Sequence, residues 1–289
     1  MNIEVIEYKE GMTIEPPCFI ANMPNEVYHS WPDGISCSGL KLVQRSPAHY
    51  RFQSKREPSR AMEIGTAIHT ALLEPDRFAE EYVLLRDVKD RRASEYKQAV
   101  KVHGSERVLV ASEADNVIGM QEAVLSNPGM GGRLTSEGWR ELSLFVREPT
   151  TGVLVRVRYD LLTAKGIAVD VKKCQDARPD EFSKTIFNYG YDMQAALYSD
   201  AFEWATGDQL EAFEFAAVEE KMPHGHKLYR PCETTLQEGR RQYLEALQTF
   251  SQCEDSNVWP SIECDGPEII SLPSWRMAQI ENEIGEEIY

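Results

Sequence analysis

Residues 153–173, VLVRVRYDLLTAKGIAVDVKK, constrain the fold more than any other stretch. Two runs rich in β-branched residues, 153–159 and 167–173, flank a turn centred on Ala164, Lys165 and Gly166. This is the pattern of a β-hairpin, with Gly166 supplying the backbone freedom that the turn needs. Side chains alternate along a strand, so Asp170 and Lys172 share one face while Val169 and Val171 share the other. Asp160 is expected where the first strand runs out, and closure of the hairpin carries that end back towards the second strand. Two carboxylates and an ammonium converging on one spot suit a divalent cation on hard oxygen ligands. A solvated strand face carrying one ion pair fits the same spacing, and spacing alone leaves both readings open.

A chain of 289 residues can bury a full core. No long linker, repeat or low-complexity tract divides it, so a single domain over 1–289 is expected, with residues 1–23 as an N-terminal extension and 276–289 as an acidic tail. No apolar run approaches the roughly 20 residues of a membrane span, and the N-terminus lacks the basic-then-apolar pattern of a secretory signal. Cys18, Cys37, Cys174, Cys232, Cys253 and Cys264 form no CxxC pair and no regular spacing. They read as reduced thiols of a cytoplasmic protein.

Around the hairpin the chain alternates helices and strands. A short helix is expected over ISCSGLKLVQRSP, capped by Ser36 or Ser38, with Leu40 and Val43 on one face and Pro47 as its stop. Residues 61–73 read as a stronger helix whose apolar face is Ile64, Ala67, Ile68, Ala71 and Leu72. His69 follows on that helix, where a lone histidine is ordinarily structural. Residues 82–85 read as a strand, RRASEYKQAVKV and EADNVIGMQEAVLSN as surface helices, and 139–147 as a strand leading into the hairpin. Helices over 179–187 and 191–204 follow, then strands in LEAFEFAAVEE and KLYRPC, and a long amphipathic helix in TTLQEGRRQYLEALQTF. Helices on both sides of a central, mainly antiparallel sheet give an α/β domain. Gln194 and Tyr198, four apart, lie on one helical face, where such residues usually make local hydrogen bonds; beside the hairpin they could instead hold a phosphate or a metal-bound water.

A net charge of −16 speaks against a nucleic-acid partner. Its distribution speaks less strongly, because Lys41, Arg45, Arg51, Lys55, Arg56 and Arg60 cluster with only Glu57 among them. A second basic group, Arg156, Arg158, Lys165, Lys172, Lys173 and Arg178, surrounds the hairpin, and acid gathers at Glu281, Glu283, Glu286 and Glu287. Three other features read as incidental: His224-Gly225-His226 as a loop pair, Glu141 as a solvated strand position, and Glu74 with Asp76 as helix-ending residues.

His69, Asp160, Asp170-Val171-Lys172 and Gln194-x-x-x-Tyr198, in that order, resemble the PD-(D/E)xK nuclease superfamily, in its RecB-like branch. NEVYHSWPDGISCSGLKL, MEIGTAIHTALLEPDRF, TGVLVRVRYD, VDVKKCQDA, YGYDMQAALYSDAFE and WPSIECDGPEIISLP extend the similarity to RecE-type exodeoxyribonuclease VIII domains. The resemblance implies a restriction-endonuclease-like core, a central mixed sheet flanked by helices. It implies a 5′-to-3′ exonuclease on linear double-stranded DNA that leaves 3′ overhangs for a single-strand annealing protein. His69, Asp160, Asp170 and the Val171 carbonyl would ligate Mg²⁺ (or Mn²⁺), Lys172 would polarise water or stabilise phosphate charge, and Gln194 and Tyr198 would orient the strand. Ser38, with Lys41, Arg45 and Arg51, would take a 5′ phosphate, and a closed ring, a tetramer, would gather several basic lanes around DNA. The chain departs from the family pattern at Tyr159, ordinarily proline, and at Lys173, ordinarily threonine. The alternatives left open are another repair endonuclease of the superfamily and a catalytically weak DNA-end-binding module.

Overall fold

The structure, a computed structural model, describes residues 3–54, 59–263 and 266–286. Lys55 and Arg56 of the basic lane, Cys264 and Glu287 lie outside the described residues. Ten strands are present among the described residues: β1 Val5–Glu7, β2 Cys18–Ala21, β3 Ile35–Ser36, β4 Val83–Leu85, β5 Val108–Val110, β6 Gly138–Arg147, β7 Leu154–Thr163, β8 Ile167–Cys174, β9 Ala212–Glu219 and β10 His226–Tyr229. The central sheet runs β1-β2-β6-β7-β8-β9-β10, with β3 pairing β7, while β4 and β5 form a separate parallel pair. Pairing is mixed: β1·β2, β3·β7 and β8·β9 are parallel, and β2·β6, β6·β7, β7·β8 and β9·β10 antiparallel.

Two helical layers cover the sheet. On one side the helices Cys37–Arg45, Tyr191–Thr206 and Glu233–Ser256 bury Leu40, Val43, Met193, Leu197, Tyr243 and Leu247 against β6, β7 and β9. On the other, Arg60–Leu73 and Ala111–Leu125 bury Ile64, Ile68, Val117 and Met120 against Val169, Val171 and Val218. Every apolar residue assigned to the face of the 61–73 helix is buried. The first layer is tightly closed. A Cβ on Gly239 would meet the Asp192 carbonyl at 2.2 Å, so only glycine lets these two helix backbones approach. Buried Asp200 accepts from Arg240 Nε at 2.6 Å and from the Tyr243 hydroxyl, locking the same pair.

The hairpin forms, with its first strand extended. β7 continues to Thr163, so Asp160 lies inside the strand and not at its end. The N-terminal segment joins the sheet through β1 and β2, and Phe19, Ile20 and Ala21 are buried. Likewise the acidic segment from 276 is helical as part of Ser274–Glu286. Ser36, not Ser38, accepts from the Gly39 amide as the cap of the Cys37–Arg45 helix, and Glu74 ends one helix and begins the next.

Arg60 is not an open cation of a basic lane. It bonds both Glu63 (2.8 Å) and Glu113, and donates to the carbonyls of Ser105 (2.7 Å) and Val108 (2.8 Å). With its side chain 16% exposed, removing it strands two carboxylates in a poorly hydrated place. Arg60→Ala is therefore expected to destabilise the fold by about 3 kcal/mol in chemical denaturation.

Candidate active site

β7 and β8 pair through Leu161–Val169 and Leu162–Ala168 and then diverge. β8 continues alongside β9, and β3 takes the same edge of β7 further along, at Val155 and Arg156. Between these two contacts, residues 157–160 have no strand on that side, and a cleft opens.

The alternation of side chains changes phase at this cleft. On β7, Val155, Val157 and Tyr159 enter the first core layer, Leu161 the second and Leu162 the first again. On β6, Leu142 and Leu144 face the first layer, and so does Trp139 on the other side of Glu141. The β6–β7 register is the same on both sides of the Glu141–Asp160 position. What differs is the Glu141 backbone, left-handed at φ 50°, a conformation that costs a non-glycine residue about 1–2 kcal/mol. The result is that Glu141 and Asp160 both reach the cleft.

Two clusters meet there. In the first, ligand atoms of His69, Glu141 and Asp160 lie within 4.8 Å of one another. His69 Nδ1 is 3.3 Å from Asp160 Oδ2, and Glu141 is held by Arg158 Nε at 2.7 Å. In the second, Asp170, buried, accepts from Gln194 Nε2 at 2.6 Å and lies 2.5 Å from Lys172 Nζ. The Val171 amide links the two, donating to Asp160 Oδ2 at 2.7 Å. Glu141, read from sequence as a solvated strand position, is thus beside His69 and Asp160. No sequence signal marks it, because only its left-handed backbone turns it inward.

Tyr198 does not touch either carboxylate. Its ring packs edge-on to Tyr159 and Phe213 at 5.5 and 6.2 Å, and its hydroxyl has no hydrogen-bond partner among the described residues. The unusual Tyr159 secures it, donating to the Tyr198 carbonyl at 2.8 Å. Lys173 bonds Glu220 at 3.1 Å, away from the cluster. His224 is buried with Nδ1 on the Glu219 carbonyl, and takes no part in a metal-type cluster.

Burial, opposed by His69 and reinforced by Asp170 and Glu141, pushes the Asp160 carboxyl up to about 7. Lys172 moves upward too: burial alone would lower it, but Asp170 and Asp160 outweigh that. The site therefore holds excess negative charge next to an ammonium that keeps its proton. Such a donor set fits a hard divalent cation, whose octahedral shell at ~2.1 Å places opposite ligands about 4.2 Å apart.

The sequence from 36 to 273 matches the model of a PDDEXK-like domain of unknown function (DUF3799). The chain belongs to this PDDEXK-like family. A candidate exonuclease from Eubacterium rectale has a similar fold, with a TM-score of 0.60 at 15% identity, over 89% of this chain and 97% of that one. A phage-related exonuclease from Haemophilus somnus 129PT aligns at 13% identity over 78% and 96%, with a TM-score of 0.34. A search of curated sequences finds no match. Membership confirms the expected restriction-endonuclease-like α/β core and the nuclease superfamily. PDDEXK nucleases typically use a divalent metal, which the His69–Glu141–Asp160 group could hold.

Two expectations follow. An unfolded aspartate releases its proton near about 3.9, whereas folded Asp160 keeps it to about 7. The folded state thus binds more protons in that interval, so Asp160 makes the metal-free protein more stable as pH falls from about 7 towards 4. Thermal melts in EDTA should show this slope in wild type and lose it in Asp160→Asn, which melts higher at about pH 8. Second, Glu141→Gln should weaken Mn²⁺ binding roughly tenfold or more by calorimetry, with its melting temperature in EDTA unchanged or raised.

Proposed function

We propose that the protein is a metal-dependent exonuclease of the RecE type, digesting linear double-stranded DNA from 5′ ends and leaving 3′ single strands. The observation that carries this reading is a cavity of about 850 Å³ lined by His29, Ser36, Ser38, Arg45, His49 and Arg156. Arg45 has no ion pair among the described residues, and Arg156 Nε is buried without an acceptor. The helix Cys37–Arg45 connects the cavity to the chemistry. Ser38, Lys41 and Arg45 recur at three and four residues along one side. Ser38 and Arg45 line the cavity, while Lys41 Nζ lies 5.8 Å from the Tyr191 ring, which covers Lys172 at 4.4 Å. A strand end held in the cavity by cations and by the open amides of a helix N-terminus would present its next linkages to Lys172. Arg51 takes a lesser part in this reading, since it packs over Trp259 at 5.6 Å.

His69, Glu141, Asp160 and Asp170 are proposed to hold Mg²⁺, or Mn²⁺ in its place, with Val171 supporting Asp160 through its amide. A bound divalent ion would supply Lewis acidity at the phosphate and lower the pKa of water. Lys172 donates to the phosphate or to the attacking water. Gln194 fixes the Asp170 carboxylate, and Tyr198 offers its open hydroxyl to the strand. A closed ring, a tetramer, would multiply the few open cations around the duplex, because phosphate contacts dominate such affinity. A single-strand annealing protein is the proposed recipient of the 3′ strand, and the cytoplasm the compartment. Among the described residues no helix is long and apolar enough to cross a membrane.

A blunt linear duplex, labelled separately at each end, should lose its 5′-terminal label first with Mg²⁺ and remain intact in EDTA. Asp170→Ala and Lys172→Ala should each cut the rate at least about 100-fold, with DNA binding largely kept in both. A 5′-phosphorylated end should be digested faster than a 5′-hydroxyl end, and Ser38→Ala should narrow that difference. Equal rates on both ends in wild type would sink the 5′-end reading. Light scattering showing only monomer would remove the ring.

A further inference from the structure

Beside the catalytic lysine the chain spends exposed aromatic surface that the fold does not need. The helix Pro179–Tyr189 ends at Gly190, in a left-handed conformation at φ 61°, and the helix Tyr191–Thr206 begins at once. This one-residue corner brings Tyr189 and Tyr191 together. Their rings stack at 5.7 Å and 21°, and Tyr191 packs inward on Phe215 at 5.9 Å. Tyr189 is 64% exposed and Phe187, two residues earlier, 80%.

The corner is held in place from the cation side. Lys41 Nζ donates to the Tyr189 carbonyl at 2.7 Å. A Cβ on Gly190 would meet Lys41 Cε at 3.0 Å, so the glycine serves both the turn and the close approach of the lysine. On the buried side, Lys172 Nζ lies 4.4 Å from the Tyr191 ring centre. Charge and rings thus run continuously from Asp170 through Lys172 and Tyr191 to the open Tyr189.

We infer that the Tyr189–Tyr191 stack is a platform for an unpaired nucleobase next to the scissile linkage, making the enzyme selective for frayed or single-stranded ends over closed duplex. This rests on the nuclease reading and extends it from chemistry to substrate form. A base stacks on any flat π face regardless of its identity, whereas a base inside a duplex has no free face to offer. Tyr189 lies two steps from Lys172, about the reach of three bases at ~3.4 Å rise, so the base that docks is one of the first few beside the cut. The neighbouring cations Lys41 and Lys172 favour a polyanion there over an apolar protein surface. The exposed ring also costs little entropy to order, since it is already stacked on its partner.

The test uses Asp170→Asn protein, which binds without cutting, and 5′-phosphorylated duplexes with either matched or two mismatched terminal pairs, 2-aminopurine marking the terminal strand. The Asp170→Asn protein is expected to bind the mismatched end more tightly and to quench the 2-aminopurine. Adding Tyr189→Ala should abolish the quench and weaken binding of the mismatched end about tenfold, the size of one base–aromatic stack, with binding to the matched end little changed. Tyr189→Trp should restore both, which a merely structural role would not do. Retained quench and preference in Tyr189→Ala, or a loss that tryptophan does not rescue, would overturn the platform. So would a Tyr189→Ala effect confined to oligomeric state in light scattering. If Asp170→Asn binds neither duplex and wild type with Mg²⁺ leaves both intact, the nuclease reading falls and the platform with it. If wild type digests both ends equally and Asp170→Asn shows no quench, the platform alone falls.

Discussion

β7 and β8 share the pairs Leu161–Val169 and Leu162–Ala168, and the backbone groups freed beyond that point must find other partners. β9 pairs the opposite edge of β8 along its whole length, from Ile167–Ala212 to Cys174–Glu219, and so leaves the groups that face β7 unmet. On β7 the need is met at one end, where β3 is a neighbour at Val155 and Arg156. At the fork itself Asp160 steps in, and its carboxylate accepts the Val171 amide. One side chain thus closes the backbone hydrogen bonding at the fork and also stands in the acidic cluster. The fork explains why the site is here: a continuous ladder would leave neither room for a phosphate nor a reason to bury a carboxylate.

The same fork limits what a sequence reader can see. Asp170 and Lys172 were legible because strand alternation is local, and β8 keeps it without interruption. The helices carrying His69 and Gln194 were legible because their apolar periodicity is strong and their buried residues match it. Asp160 was legible as a neighbour of Asp170 but was expected at the strand end, although RYDLLTAKG carries turn-forming residues only from Ala164 onward. Glu141 was not legible as a site residue. Its side chain turns inward only because its own backbone is left-handed at φ 50°, and nothing in WRELSLFVR announces that. β1 and β2 were missed for a related reason: they are three and four residues long, separated by prolines, and join the sheet only through tertiary contact with β6.

Charge followed the same division between local and tertiary. Two basic groups could be counted in the sequence, but not how many of those cations are already engaged. Arg60 serves Glu63 and Glu113, Arg158 serves Glu141, Lys173 serves Glu220 and Arg178 serves Asp176. Arg45 lining the cavity, Lys41 over Tyr191 and Arg156 at the cavity wall are what remains near the cleft. A chain of net charge −16 therefore does not attract a polyanion broadly. It concentrates a few cations along one helix and one strand.

The departure from the family pattern at Tyr159 makes sense at the same place. Proline before the first aspartate would stiffen β7 without offering a donor; Tyr159 instead reaches across to the Tyr198 carbonyl and packs edge-on to its ring. The strand is then tied to the following helix beneath the cleft, so the helix that carries Gln194 is fixed relative to the strand that carries Asp160. Gln194 in turn holds Asp170. Asp160 and Asp170 are therefore positioned against each other twice, once through the Val171 amide and once through the Tyr159–Tyr198 and Gln194 contacts. Two carboxylates that repel one another need such bracing, because β7 and β8 are unpaired beyond Leu161–Val169 and repulsion would otherwise widen the fork. Rigid bracing keeps that repulsion in place as a demand for a cation, which a mobile pair would relax by moving apart.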